Sequence, residues 1–146
     1  MYKVDLWVWT DSREAAESVK DYAYCLEFSH KGKSVRRNGE GQVKASWNKA
    51  TLTAIAAALE RFTANSEVVI HTENRWVLNM IMNYLDTWEG ADFWKNKKEK
   101  VANEEEWRRI AKAKHSLLIT PDPIGFDRAK ELMNRALAQD RRKDES

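Results

Sequence analysis

The sequence predicts an α/β fold of the mixed α+β kind, in which helices flank a five-stranded mixed sheet. The first third of the chain holds three strand-like segments joined by short polar stretches or turns, which indicates antiparallel strands. After residue 48, segments with helical spacing alternate with short apolar runs, as is typical of strands added in parallel to the same sheet. No repeat or linker divides the chain, so we expect one domain over residues 1–139 and a polar tail over residues 140–146.

The first three strands are expected from their alternation and their turns. Residues 3–9 place two tryptophans opposite a face of valine and leucine, so this strand should be covered on both sides. Residues 12–20 contain no glycine and predict a polar loop or a short helical turn. The second strand ends in a turn around Gly32, and the third should be interrupted, or fold as a hairpin, at Gly39 and Gly41.

The rest of the chain predicts four helices and two further strands. Apolar residues at helical spacing mark the first two helices, and Trp76 and Trp88 fall on the apolar side of the second, where core packing is the favoured explanation over base stacking. In order, we expect a helix over residues 48–65 with Asn48 as N-cap, a strand from residue 66, a helix over residues 74–88 that breaks at Gly90, a cationic segment leading into a helix within residues 93–116, a strand over residues 117–120, and a helix over residues 126–139.

Composition restricts the class of protein. Charged residues make up 33% of the chain, but the net charge is only +2, so any binding to nucleic acid must come from local patches. The single cysteine, Cys25, excludes an internal disulfide and is expected to be a buried filler rather than a reactive thiol. No apolar run approaches the about 20 residues that span a bilayer, and no signal peptide is evident. We therefore expect a cytoplasmic protein without a membrane partner.

The order of the elements and the motifs within them resemble the ribonuclease H family. "VDLWVWTDS" is similar to the family's first strand, which ends in a Thr-Asp pair that carries the first catalytic carboxylate. "WNKATLTAIAAALERF" resembles its first helix, and "VVIHTENRWVLNMIMNYLDTW" its fourth strand and second helix. "FWKNKKEKVANEEEWRRI" resembles the basic protrusion of the bacterial members. The likeness covers nearly the whole chain and implies a ribonuclease H-like fold.

The resemblance implies a nuclease site built from carboxylates at one edge of the sheet. In the family these carboxylates hold two magnesium ions about 4 Å apart, one activating water and one stabilising the leaving oxygen. Asp11 matches the first carboxylate, and Glu73 replaces an aspartate with a side chain one methylene longer. Thr51 and Lys130 stand where the family has two further acids, so two anionic ligands are lost. Asp11 and Glu73 thus remain as a weak site for Mg²⁺ or Mn²⁺.

Other residues could compensate for the missing acids, although each also has a structural explanation. Asp122 lies between two prolines, where a turn is expected, and Asp127 suits the first turn of a helix. His71 could bind a metal or relay a proton, but a lone histidine on a strand is more often structural. His30 and His115 have no paired ligands nearby in the sequence, so we expect no zinc site.

The resemblance also implies a surface that binds nucleic acid. Asn48 matches one of two asparagines that touch the RNA strand in the family, and Arg75 replaces a glutamine that contacts substrate. A lysine cluster flanked by Trp94 and Trp107 should grip phosphates, which gives affinity without sequence specificity. A solvated charged hairpin explains the same cluster equally well, since acidic residues are interspersed. The predicted contacts here are Trp94, Lys95, Lys97, Lys98 and Lys100.

Three functions are compatible with these observations. The leading hypothesis is a ribonuclease H-like domain with a degenerate carboxylate site, which binds an RNA–DNA hybrid or duplex and has little or no nuclease activity. The first alternative is an active Mg²⁺- or Mn²⁺-dependent endoribonuclease that cleaves RNA–DNA hybrids with a rearranged site. The second alternative is a protein–protein interaction module on the same scaffold. Hybrid cleavage and salt-dependent binding discriminate between them.

Overall fold

The computed structural model of the protein describes residues 2–122, and the fold is given for these residues. Its elements alternate as the sequence indicates, with three strands first and helices and strands after them. They are β1 (Tyr2–Thr10), β2 (Ser18–His30), β3 (Lys33–Ala45), α1 (Trp47–Leu59), β4 (Ser66–His71), α2 (Arg75–Asn83), α3 (Leu85–Gly90), α4 (Glu104–Lys114) and β5 (Leu117–Pro121).

The five strands form one mixed sheet in the order β3-β2-β1-β4-β5. β1 pairs antiparallel with β2 and β2 antiparallel with β3, whereas β4 runs parallel to β1 and β5 parallel to β4. The expected α+β fold with its five-stranded mixed sheet is therefore confirmed. Because β1 is central and parallel to β4, the carboxyl ends of these two strands lie at the same edge of the sheet.

The main core lies between the sheet and α1. Val4, Leu6 and Val8 point into it from β1 and are at most 4% exposed. The residues that alternate with them lie on the opposite face, where Trp7 and Trp9 are half-buried, so the described residues cover this second face of β1 only in part. Cys25 is buried, in agreement with its expected role as a filler. No helix in the described part of the chain is long and apolar enough to cross a membrane.

The edge strand β3 runs without interruption, so the break or hairpin expected at Gly39 and Gly41 is wrong. Gly39 lies opposite Tyr24 in the register, and Gly41 lies opposite Tyr22. A Cβ atom at either glycine would overlap the ring or hydroxyl of the facing tyrosine. The glycines therefore serve to let two tyrosine rings lie across the edge strand, and they do not form turns.

We expect Gly39→Ala to lower the free energy of unfolding by about 1–3 kcal/mol, measured by urea denaturation. The added methyl group would displace the ring of Tyr24, which is 8% exposed and whose hydroxyl accepts a hydrogen bond of 3.3 Å from Arg61. Gly90→Ala is the matched control, because a Cβ atom there meets nothing within 4 Å. Equal losses in the two variants would contradict this explanation of Gly39.

Two helix boundaries differ from the expectation. α1 is capped by Ser46, whose Oγ accepts from the backbone N–H of Lys49 at 3.2 Å, so the prediction of Asn48 as N-cap is wrong. The second expected helix divides at Tyr84, whose φ of −125° leaves the helical range, and α3 continues through Gly90. Residues 12–17 form a loop without a helical turn. The expected last helix and polar tail, residues 126–146, lie outside the described residues.

Candidate functional site

Asp11 and Glu73 follow the carboxyl ends of β1 and β4. Since these strands are parallel neighbours, both acids lie at the same edge of the sheet, beyond the register pair Trp7 and His71. Whether this edge can bind metal ions depends on three features. They are the hydrogen bonds of Asp11, the cation beside Glu73 and the hydroxyl group of Thr51.

Asp11 extends the ladder between β1 and β2. Its backbone N–H donates to the carbonyl of Asp21 at 3.0 Å, and its Oδ1 accepts from the backbone N–H of Asp21 at 3.0 Å. The residue is exposed, so its second carboxylate oxygen is accessible from solvent. Asp11 therefore combines a structural hydrogen bond with an anionic group at the predicted position.

Glu73 is paired with a cation. Arg13 Nε lies 3.5 Å from Glu73 Oε2, with the arginine side chain 57% exposed and the glutamate 21% exposed. Arg13 was not predicted as a residue of the site, because its segment was considered only as a loop without glycine. The signal was present, since a positive charge two residues after Asp11 begins a loop at the same edge of the sheet.

Thr51 is a neutral link between two helices. It is 1% exposed, its Oγ1 donates to the carbonyl of Trp47 at 2.9 Å, and it accepts from Asn74 Nδ2 at 3.3 Å. Asn74 also donates to Asn48 Oδ1 at 2.9 Å and caps α2 by accepting from Val77 N–H at 3.1 Å. The hydroxyl and amide groups at the start of α1 are thus engaged in packing α1 against α2.

The described residues do not fit the two-metal set that the family resemblance implies. Thr51 brings no charge, and a guanidinium lies beside Glu73 where a metal would need free anionic oxygens. Within residues 2–122, no group of three or more histidine, cysteine or acidic side chains could hold a metal ion. Lys130 and Asp127 lie outside the described residues, so their predicted roles stay predictions.

His71 lies in a polar cluster on the sheet face opposite α1. Its Nδ1 is 2.7 Å from Asp122 Oδ2, its Nε2 is 2.8 Å from Asp5 Oδ1, and its ring stacks on Trp7 at 3.7 Å between centroids. The ring therefore links two carboxyl groups through its two nitrogen atoms. The structure places Asp122 beside His71. The contact between His71 and Asp5 was not predicted, because it depends on the register of two parallel strands.

The loop after β1 is anchored by a buried lysine. Lys20 is 0% exposed, and its Nζ donates to the carbonyls of Ala16 and Ala45 and to Ser18 Oγ, at 2.9, 2.7 and 2.7 Å respectively. These three acceptors satisfy the ammonium group without a carboxylate. The loop that replaces the family's glycine-rich segment is therefore tied to the end of β3.

The lysine cluster forms a tight exposed hairpin between α3 and α4. Trp94 and Lys100 are joined by an antiparallel bridge, and the side chain of Asn96 accepts from the N–H groups of Lys98 and Glu99 at 2.8 and 2.9 Å. Trp94 is 46% exposed. The same turn carries three exposed lysines, Lys95, Lys97 and Lys98.

Lys100 differs from the other three lysines because it is engaged within the protein. Its Nζ lies 4.5 Å from the ring centroid of Trp94 and donates to the carbonyl of Asp92 at 2.8 Å. Arg108 also binds Asp92, and the hydrogen bond between them, followed by the charges of Lys100 and Arg108, lowers the pKa of Asp92 below its ordinary value. These contacts position the hairpin, and they leave Lys100 less available for phosphate than its neighbours.

The tryptophans are divided between core and surface. Trp107, which follows the lysine cluster in the sequence, is fully buried and does not contribute to its surface. Trp88 packs against Trp107 with 5.1 Å between centroids, which agrees with its expected core position. The rings of Trp76 and Trp107 meet in a T-shaped arrangement with 6.3 Å between centroids, and Trp76 stays 46% exposed. The core packing expected for Trp76 is therefore only partial. The neighbouring residue, Arg75, is exposed as well.

Comparisons with known proteins agree with this architecture. The family model for RNase H matches residues 4–120 of the chain. The ribonuclease H of Granulibacter bethesdensis is 40% identical over 73 residues, which cover 48% of this chain and 48% of that protein. The chain thus spans about half the length of this curated relative.

Solved structures share the fold. A type 1 RNase H with the type 2 active-site motif superimposes with a TM-score of 0.65 at 17% identity, covering 90% of this chain and 70% of that one. A foamy viral protease-reverse transcriptase in complex with an RNA/DNA hybrid gives a TM-score of 0.65 at 13% identity, covering 90% of this chain and 18% of that one. At these identities the likeness is one of fold alone. Because the family model covers most of the sequence, the chain belongs to the ribonuclease H family.

Proposed function

We propose that this ribonuclease H-like domain has a degenerate carboxylate site and binds an RNA–DNA hybrid or duplex with little or no nuclease activity. The contact that carries the proposal is Arg13 against Glu73, at 3.5 Å. The guanidinium offsets the negative charge of the glutamate, and it disfavours a divalent cation at the same oxygens. Among residues 2–122, Thr51 is neutral and Glu73 is paired with Arg13, so Asp11 contributes most of the remaining anionic charge at this edge, which is too little to hold two metal ions.

Binding to nucleic acid is supported by the hairpin. Lys95, Lys97 and Lys98 are exposed on a turn that Asn96 fixes, and the half-exposed ring of Trp94 lies at its base. Lysines clustered on one exposed turn can contact phosphates, which gives affinity without sequence specificity. A structural neighbour with the same fold was solved with an RNA/DNA hybrid bound. We extend that ligand class to this chain as part of the proposal.

The exposed side chains at the start of α2 give the duplex a second area of contact. Arg75 and Trp76 lie next to the N-terminus of α1, where the amide of Asn48 is held by Asn74. A cation and an aromatic face together suit the sugar–phosphate backbone better than base edges. The proposed binding is therefore independent of sequence.

The test is a fluorescence anisotropy titration of hybrid, duplex DNA and single strands at 50 and 200 mM salt. With three phosphate contacts, the affinity for the hybrid should fall by roughly fortyfold between these concentrations. Affinity that does not depend on salt, or no binding to any of the three, would remove the proposed role in nucleic-acid binding.

A further inference from the structure

A cavity of about 530 Å³ lies at the end of the sheet opposite to the acidic residues, beside the connection between α1 and β4. It opens where β1 begins at Tyr2, whereas Asp11 follows the other end of that strand. The nine residues of β1 separate the two places by roughly 25 Å. The cavity is therefore a separate feature of the domain, and a ligand bound there is independent of the proposed binding to nucleic acid.

The floor of the cavity is apolar. Val4, Phe28 and Val35 line it and lie opposite one another on three neighbouring strands, so they form one row on the face that packs against α1. Phe62, which follows α1, closes the other side. The volume lies within the range of roughly 300–1,000 Å³ that is common for small-molecule sites.

The rim of the cavity is cationic. Arg37 and Arg61 both line it, His30 adds a third nitrogen-bearing side chain, and the described lining residues include no aspartate or glutamate. Within residues 2–122, Arg61 donates to two neutral oxygens, the hydroxyl of Tyr24 at 3.3 Å and the carbonyl of Asn38 at 3.2 Å. Its charge is thus not neutralised by these contacts.

Arg37 is unusual for its place in the sheet. It lies opposite the buried Leu26, on the face that elsewhere carries core residues. Its neighbour Arg36 points to the other face and forms a 2.7 Å salt bridge with Glu27, whereas Arg37 donates to a backbone carbonyl at 3.4 Å. In the described part of the chain, no carboxylate lies within salt-bridge distance of Arg37. An arginine above an apolar floor is suited to a ligand that brings its own anion.

We propose that this cavity binds a small amphipathic carboxylate, with the apolar body on the row of Val4, Phe28 and Val35 and the carboxylate on Arg37 and Arg61. The guanidinium groups can each donate two parallel hydrogen bonds to a carboxylate, which fixes its orientation. The apolar floor contributes affinity through the surface that the ligand buries. Neither a cation nor a fully polar anion satisfies both halves of the site.

The test is a titration of the ¹⁵N-labelled full chain with octanoate and, separately, with octylammonium, which has the same tail and the opposite charge. Octanoate should shift the amide signals of Phe28, Val35 and Ser66, and it should bind at least about tenfold more tightly than octylammonium. Comparable affinity for the two probes, or shifts elsewhere on the domain, would overturn the proposal.

A pair of variants locates the anion. Arg37→Gln should weaken octanoate binding by about tenfold, because a charge-assisted contact is lost. Arg36→Gln is the matched control, since it removes an equal charge from the adjacent residue on the opposite face, and it should leave octanoate binding unchanged. Equal effects of the two substitutions would also overturn the proposal, because the anion would then respond only to net charge.

Discussion

Replacing Lys95, Lys97 and Lys98 together by alanine should weaken binding of an RNA–DNA hybrid on the order of a hundredfold at 150 mM salt. Each lysine that contacts a phosphate releases about one counterion, so the slope of log affinity against log salt should fall by about 3 units. The substitutions lie on exposed positions of the hairpin, and the turn itself is held by Asn96. Folding should therefore be unchanged, as checked by circular dichroism.

The control variant removes the same number of positive charges from a different part of the surface. Lys31, Lys33 and Lys44 are exposed on β3 and the turn before it, away from the hairpin. Their triple replacement by alanine should change hybrid affinity by no more than about threefold, since exposed charges beyond a Debye length are largely screened. If both triple variants weaken binding equally, the hairpin has no special role and binding reflects net charge only.

Replacing His71 by alanine should lower the free energy of unfolding by about 3–5 kcal/mol. The ring connects Asp5 on β1 with Asp122 beyond β5, and the side chain of Asp122 is only 8% exposed. Removal of the imidazole takes one hydrogen bond from the buried carboxylate of Asp122 and removes the stacked ring from Trp7. Urea denaturation followed by tryptophan fluorescence measures the loss.

Two further variants separate the contributions of the carboxylates. Asp122→Asn should be more destabilising than Asp5→Asn, because the side chain of Asp5 is 41% exposed and water can replace its bond. The double variant His71→Gln with Asp122→Asn should recover part of the loss, since neither remaining group carries a charge. A His71→Ala protein within about 0.5 kcal/mol of the wild type would show that the cluster does not stabilise the fold.

Local patterns were sufficient to predict the sheet, but not the details that depend on partners from distant parts of the chain. Alternation in β1 and the spacing of apolar residues in α1 depend on nearby residues only, and both elements formed, although α1 ends at Leu59 and not at residue 65. Gly39 was wrongly predicted to interrupt the third strand. Its role depends on Tyr24, which faces it only after β2 and β3 pair. Ser46 displaced Asn48 as cap because the geometry at a helix start is decided by which side chain reaches the free N–H groups.

The sequence was sufficient to predict where the residues of the site lie, but not which side chains contact them. The Thr-Asp pair and "HTEN" brought Asp11 and Glu73 to one edge, since the ends of parallel strands meet there. The pairing of Arg13 with Glu73 and of His71 with Asp5 required the path of a loop and the register of β1 with β4. Neither is encoded in local periodicity, so both appeared only in the structure.

Cleavage of an RNA–DNA hybrid by the wild type and by Asp11→Asn, in Mg²⁺ and separately in Mn²⁺, tests the central claim most directly. With Arg13 beside Glu73 and no charge on Thr51, the two proteins should show the same rate, at the level of the background without protein. Metal-dependent cleavage by the wild type that Asp11→Asn abolishes would contradict the account, because the carboxylate edge would then be an active site.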